Sequence, residues 1–105
     1  MYLRTLVQLL LVASAAASDP AVTIYERSGY KGENFSIPVN AECTAIPHLG
    51  QSDRFGAIKV TNASCDYYYK DNCYDYGGFF NPPGKRIITD ITGDSKSIKC
   101  YRMYS

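Results

Sequence analysis

Short runs rich in Val, Ile, Tyr, Phe and Thr recur along the chain, and clusters of Gly, Pro, Asn and Asp separate them. No stretch carries apolar residues at helical spacing, so the pattern predicts an all-β chain of sandwich or barrel type. The predicted strands are Val22–Arg27, Glu33–Val39, Ala57–Asn62, Asp66–Lys70, Gly78–Asn81, Arg86–Ile91 and Ser97–Met103. Breaks fall at Ser28–Gly29, Pro38–Asn40, Gly50–Asp53, Asp71–Asn72, Asn81–Gly84 and Thr92–Ser95. Asn40–Arg54 is the one long connection; it holds Cys43 and Pro47 and has room for a short helical turn.

The first 18 residues follow a different pattern. Met1–Arg4 is a short positive start, Thr5–Val12 is largely apolar, and Ala13–Ser18 is a run of small residues. That order is expected of a secretory signal peptide cleaved after Ala17 or Ser18, leaving residues 19–105 as a single extracellular domain. A membrane span needs roughly 20 apolar residues. This segment is shorter, and no second apolar stretch follows, so no membrane span is expected. A buried N-terminal helix would need a helical partner, and the later chain offers none.

Loss of Arg4 leaves ten Lys and Arg against ten Asp and Glu, a net charge near zero. The cations are scattered, with Lys85–Arg86 the only adjacent pair, so nucleic acid is not an expected partner. About 87 residues is close to the size at which an apolar core alone is marginal. In an exported chain, Cys43, Cys65, Cys73 and Cys100 imply two disulfides. Zinc is a weak alternative, because no C-x₂-C pair occurs and His48 is the only histidine. If Asp66–Lys70 is extended, Cys65 and Cys73 lie too far apart to bond, at roughly 3.3 Å per residue. Two pairings stay open: 43–65 with 73–100, or 43–73 with 65–100. Asn34-Phe-Ser36 and Asn62-Ala-Ser64 are candidate glycosylation sites in a secreted product.

The chain also repeats itself. Tyr25–Gly32 has a partner in Tyr69–Gly78; each leaves a strand at a Tyr and reaches aromatic-x-Gly after a polar turn. Asp53–Val60 has a partner in Asp94–Cys100, each running into Ile-Lys. The repeat distance is 44 residues between the tyrosines and 40 between Ile58 and Ile98. Two four-strand units in so little chain must share one core. A chain folding back over its own sheet calls for positive φ at Gly32 and Gly78, with Tyr25 and Tyr69 covering the bends. Ile58 and Ile98 are then expected between the two sheets.

These residues resemble the Greek-key motif of the βγ-crystallin family. Tyr25–Gly32 with Ser52–Val60 matches the first motif, at about residues 22–62. Tyr69–Gly78 with Gly93–Cys100 is a looser second copy, at about residues 65–103. The resemblance implies a two-sheet antiparallel sandwich of two intertwined Greek keys. It also raises calcium, which many microbial relatives hold through an Asn/Asp-Asn/Asp-x-x-Ser/Thr-Ser stretch. The corresponding stretches are Ser52–Ala57 and Thr92–Ser97, whose fifth positions are Gly56 and Lys96. Neither supplies a side-chain oxygen, and a calcium ion takes six to eight oxygens. Asp53 and Asp94 keep one acid in each stretch, and a slip of one residue would bring Ser95 or Ser97 into play. No cofactor is therefore expected, and the disulfides would replace the metal as staples.

Candidate chemistry is sparse. With no free thiol expected and no Gly-x-Ser-x-Gly element, His48 has no visible nucleophile to serve, so the chain is expected not to be an enzyme. The unusual local feature is Tyr67-Tyr68-Tyr69 with Tyr74, Tyr76, Phe79 and Phe80. Alternation puts Tyr67 and Tyr69 on one strand face and Tyr68 on the other. These rings either fill the core or form a patch, with Tyr67, Tyr68 and Tyr74 as candidates, for a carbohydrate, cell surface or protein partner. Asp66, Asp71 and Asp75 nearby argue against anionic lipid. The expected function is a secreted binding or structural module. The same resemblance carries two rival readings, a killer-toxin-like or antimicrobial effector and a protease inhibitor presenting Asn40–Arg54 or Asn81–Gly84.

Overall fold

The structure, a computed structural model, describes residues 19–103. The expected signal segment, residues 1–18, lies outside the described residues. β1 (Ala21–Arg27) and β2 (Lys31–Ile37) form a hairpin, with Gly29 at φ 79° and Tyr30 at φ 63° in the turn. Positive φ at both positions matches the twist of a tight hairpin. β3 (Cys43–Ala45), β4 (Ala57–Thr61) and β5 (Ala63–Tyr68) follow. β6 (Tyr76–Phe80), β7 (Gly84–Lys85) and β8 (Ser97–Arg102) complete the set.

The strands make two antiparallel sheets, ordered β2-β1-β4-β7 and β3-β8-β5-β6. Each sequence repeat therefore gives three strands to its own sheet and its third strand to the other sheet. β3 crosses from the first repeat and β7 from the second, so neither repeat can close a sheet alone. This is the shared core that the repeat length demanded.

Alternation along the strands fills that core. Ile24 pairs with Ile58 across β1 and β4, and Tyr67 pairs with Ile98 across β5 and β8. Val22, Ile24, Ile37, Ile58, Val60 and Ile98 are all buried in one cluster with Phe80. Each such side chain contributes roughly 1.5–3 kcal/mol by leaving water. Cys65 and Cys100 face each other inside the cluster and are bonded, with Cα atoms 4.0 Å apart. Cys43 and Cys73 form the second disulfide, so the pairing is the second of the two left open by spacing. Two disulfides in so short a chain point to an oxidising environment.

Several local expectations change. The predicted strand Arg86–Ile91 is not one: pairing ends at Lys85, and Ile91–Asp94 is a 3-10 turn. Ile88 is buried, while Ile87 and Ile91 stay 57% and 59% exposed, so the apolar run is not uniformly core. Asn40–Arg54 holds the strand β3 and a Leu49–Ser52 bridge rather than a helical turn. A 3-10 turn sits instead at Asp71–Cys73. The strand expected at Asp66–Lys70 begins earlier, at Ala63, and the one expected at Gly78 begins at Tyr76. Gly32 takes the expected positive φ of 82°, whereas Gly78 is not among the glycines of positive φ. Gly78 is needed for space: a Cβ there would lie 2.6 Å from the Tyr67 hydroxyl.

Candidate functional site

The register of the second sheet sorts its aromatic residues onto two faces. Ala63, Cys65 and Tyr67 point inward from β5, so Ser64, Asp66 and Tyr68 point outward. Tyr67 lies against the core, its ring 4.8 Å from Phe80 and its hydroxyl 3.4 Å from Thr92 Oγ1. Tyr69 meets the same ring edge-on at 5.9 Å. Tyr67 and Tyr68 are thus on opposite faces, and the sheet does not bring them together.

Tyr68 belongs to an outer aromatic face. Pairing places Tyr76 opposite Tyr68, Phe79 opposite Asp66, Lys99 opposite Asp66 on the other side, and Tyr101 opposite Ser64. Tyr68 and Tyr76 meet edge to face at 5.8 Å. Ser64 donates to Asn81 Oδ1 at 3.0 Å, which completes the row holding Tyr101. Tyr76, Phe79 and Tyr101 are 58%, 60% and 38% exposed, far more than a ring in the core. Desolvation first, then the nearby Asp66, Tyr101 and Tyr76, hold the Tyr68 phenol above its ordinary value. The hydroxyl is a protonated donor at neutral pH.

One end of this face is closed. Ser97 would point outward, yet it is fully buried, because the Asp71–Cys73 turn covers it. Its hydroxyl donates to the Lys70 carbonyl at 2.6 Å and accepts from Cys73 N–H at 2.9 Å. Cys43–Cys73 ties the same turn to β3. Asn72, Cys73 and Asp75 all take positive φ, and Tyr74 projects from this stapled loop with 69% exposure. Of the aromatic residues singled out in the sequence, Tyr68 lies on the face and Tyr74 stands beside it in the loop. Phe79, Tyr76 and Tyr101 complete the face. Only knowledge that Cys65 opposes Cys100 would have placed Tyr101 there.

The sequons are separated as well. Asn34 is exposed in the middle of the edge strand β2. Asn62 occupies the tight link between β4 and β5 at φ 52°, with its carbonyl accepting from Met103 N–H at 3.1 Å.

A second polar region lies where the two repeats meet. A cavity of about 300 Å³ is lined by His48, Ser52, Asp53, Arg54, Asp71 and Lys96 among others. Arg54 bridges the repeats: its Nη2 donates to the Asp90 carbonyl, and its Nε lies 3.5 Å from Asp94 Oδ1. Hydrogen bonds from the Thr92 hydroxyl and N–H hold the Asp90 carboxyl below its usual value. His48 pairs with Asp53 at 3.4 Å, and both are exposed. Ser52 Oγ donates to the Arg54 carbonyl at 2.6 Å rather than to His48.

No protein-family model matches the sequence, and no curated protein matches it. Solved structures do match. A βγ-crystallin domain from Clostridium beijerinckii aligns with a TM-score of 0.61 at 23% identity, covering 77% of this chain and 97% of that one. A βγ-crystallin domain from Flavobacterium johnsoniae gives 0.62 at 19% identity, over 80% and 97% of the two chains. Hahellin, a βγ-crystallin, gives 0.62 at 15%, over 84% and 98%. The fold is that of a βγ-crystallin domain.

The sequence raised calcium at the stretches Ser52–Ala57 and Thr92–Ser97, and the partners of their polar groups are as follows. Asp94 and the Asp90 carbonyl face the Arg54 guanidinium, and Asp53 faces His48. Ser95 Oγ donates to the Thr92 carbonyl at 2.7 Å, and Ser97 is engaged as described. Gly56 has no room for a hydroxyl-bearing side chain, since a Cβ would sit 2.6 Å from the Ser28 nitrogen. Among the described residues no group of three or more His, Cys, Asp or Glu could hold a metal ion. Arg54 already engages Asp94 and the Asp90 carbonyl, and position 56 offers no hydroxyl, so these residues do not fit a calcium cage.

Proposed function

We propose that this chain is a secreted, non-enzymatic βγ-crystallin-like binding module that acts through the outer aromatic face of its second sheet. The observation that carries this reading is the alignment of Tyr76, Phe79 and Tyr101 on one strand-paired surface, all substantially exposed. Exposed rings clustered on a rigid sheet are an interaction surface rather than scattered surface residues. Secretion is supported by the two disulfides and by the signal-like start of the sequence. A non-enzymatic reading is supported by the partners of His48 among the described residues: it pairs with the exposed Asp53, while the nearby Ser52 hydroxyl turns to the Arg54 carbonyl. The test is retention of fluorescently labelled protein on extracellular surfaces. A Tyr76→Ala/Phe79→Ala/Tyr101→Ala variant is expected to lose at least nine-tenths of it with an unchanged melting temperature. Equal retention by wild type and variant would remove the aromatic face from the function.

The module is expected to work without calcium. Arg54 holds its guanidinium 3.5 Å from Asp94, so a metal at this junction would meet a positive charge already in place. Melting temperatures in millimolar calcium and in excess chelator are therefore expected to agree within about 1 °C. A rise of about 4 °C or more with calcium, roughly 1 kcal/mol for a domain of this size, would show a working site.

A further inference from the structure

We propose that the aromatic face binds an uncharged polysaccharide, with Phe79, Tyr76 and Tyr101 as stacking platforms and Asp66, Lys99, Ser64 and Asn81 as hydrogen-bonding partners. The inference rests on the aromatic-face reading above and names its ligand class. The face consists of three cross-strand rows, each with at least one exposed ring, and two of them join that ring to polar groups. Tyr76 and Tyr68 form one row; Phe79, Asp66 and Lys99 the next; Asn81, Ser64 and Tyr101 the third. Rows of same-face residues repeat roughly every 6.8 Å along a strand, and strands lie about 4.8 Å apart. The rings therefore punctuate a surface that is polar between them.

A sugar ring has this same mixed character, with a face of C–H groups and a rim of hydroxyls. Aromatic faces take the first, and paired donors and acceptors take the second. The charge on the face points to a neutral polymer. Asp66 and Lys99 are direct cross-strand partners, so the one anion and the one cation of the central row compensate each other. An anionic polysaccharide or nucleic acid would meet no excess of positive charge. A lipid surface would meet a carboxylate and an ammonium where insertion requires a continuous apolar patch. The phenols add further donors, since a tyrosine hydroxyl is protonated at neutral pH and desolvation, then Asp66, Tyr101 and Tyr76, shift that of Tyr68 further upward.

The experiment is co-sedimentation of the intact secreted protein with insoluble cellulose, chitin, β-1,3-glucan and mannan. Polygalacturonate gels and phosphatidylcholine vesicles, with and without anionic lipid, serve as the other arms. Retention on at least one neutral polysaccharide is expected, unchanged between low and 0.5 M salt. Phe79→Ala on β6 and Tyr101→Ala on β8 are each expected to weaken it about tenfold. Because these rings come from different strands, loss of folding in one variant leaves the other to decide. Ile87→Ala, an exposed change away from the face, is expected to leave retention unaltered. Retention only on the anionic gel or on vesicles would overturn the proposal, as would binding to neutral polysaccharide that both ring variants preserve. If the protein holds to cell surfaces through Phe79 and Tyr101 yet to no neutral polysaccharide, the ligand class is wrong and the aromatic-face reading stands. If ring substitutions change no binding at all, both fall.

Discussion

Replacing Cys65 and Cys100 together by alanine is expected to leave little folded protein at 37 °C. The Cys43→Ala/Cys73→Ala pair is expected to fold, with stability lowered by about 2–4 kcal/mol. Loop length does not separate them. The bridges close 35 and 30 residues of sequence, and the chain-entropy estimate is about 4 kcal/mol for each. Position does. Cys65 and Cys100 are fully buried in the core cluster and join the two central strands of their sheet face to face. Alanine removes two sulfur atoms from between packed side chains, and the resulting void adds roughly 1–2 kcal/mol. The total approaches the 5–10 kcal/mol that a domain this small holds. Cys43 is exposed and Cys73 only half-buried, so their loss frees a loop without opening the core. Urea denaturation at 25 °C separates the cases, and a larger loss from the 43–73 pair would reverse the assignment of the central staple.

This contrast also shows which features were legible beforehand. The repeat placed Ile58 and Ile98 correctly because both follow an acidic turn and open a strand of alternating character. Gly32 was legible because a tight return of the chain favours glycine at positive φ, here 82°. Gly78 occupies the matching place for a different reason, close approach of the Tyr67 ring, and a one-dimensional repeat does not distinguish conformation from space. β3 escaped notice because Cys-Thr-Ala is too short to carry a period, and it exists only through its pairing with β8. Arg86–Ile91 has strand composition, but β7 ends at Lys85, and the next segment instead ties Ile88 N–H to the Gly56 carbonyl at 2.9 Å. The aromatic face was half visible. Alternation put Tyr68 opposite in sense to Tyr67, yet Tyr101 joins only after the β5–β8 register is known, and that register is non-local.

The other large effect is expected at Gly84, where alanine should destabilise the domain by about 3 kcal/mol or more. Gly84 has φ 100°, and a Cβ there would overlap the Ile58 carbonyl oxygen and lie 3.0 Å from the Val60 nitrogen. Both obstacles are backbone atoms of β4, so no rotamer change relieves them. Relief requires β7 to move off β4, which breaks Val60 N–H to the Pro83 carbonyl at 2.9 Å and the Ile58–Lys85 pairing. That pairing is the second repeat's one strand in the first sheet, so the substitution loosens the crossing that interlocks the repeats. Gly29→Ala is the control. It also has positive φ, 79°, but its nearest neighbour would be the flexible Lys31 side chain at 3.8 Å. Only the conformational cost applies there, about 1 kcal/mol. The difference between the two variants in urea denaturation measures the steric part alone. Equal losses would mean that β7 can withdraw freely and that the repeats are held together by the core rather than by exchanged strands.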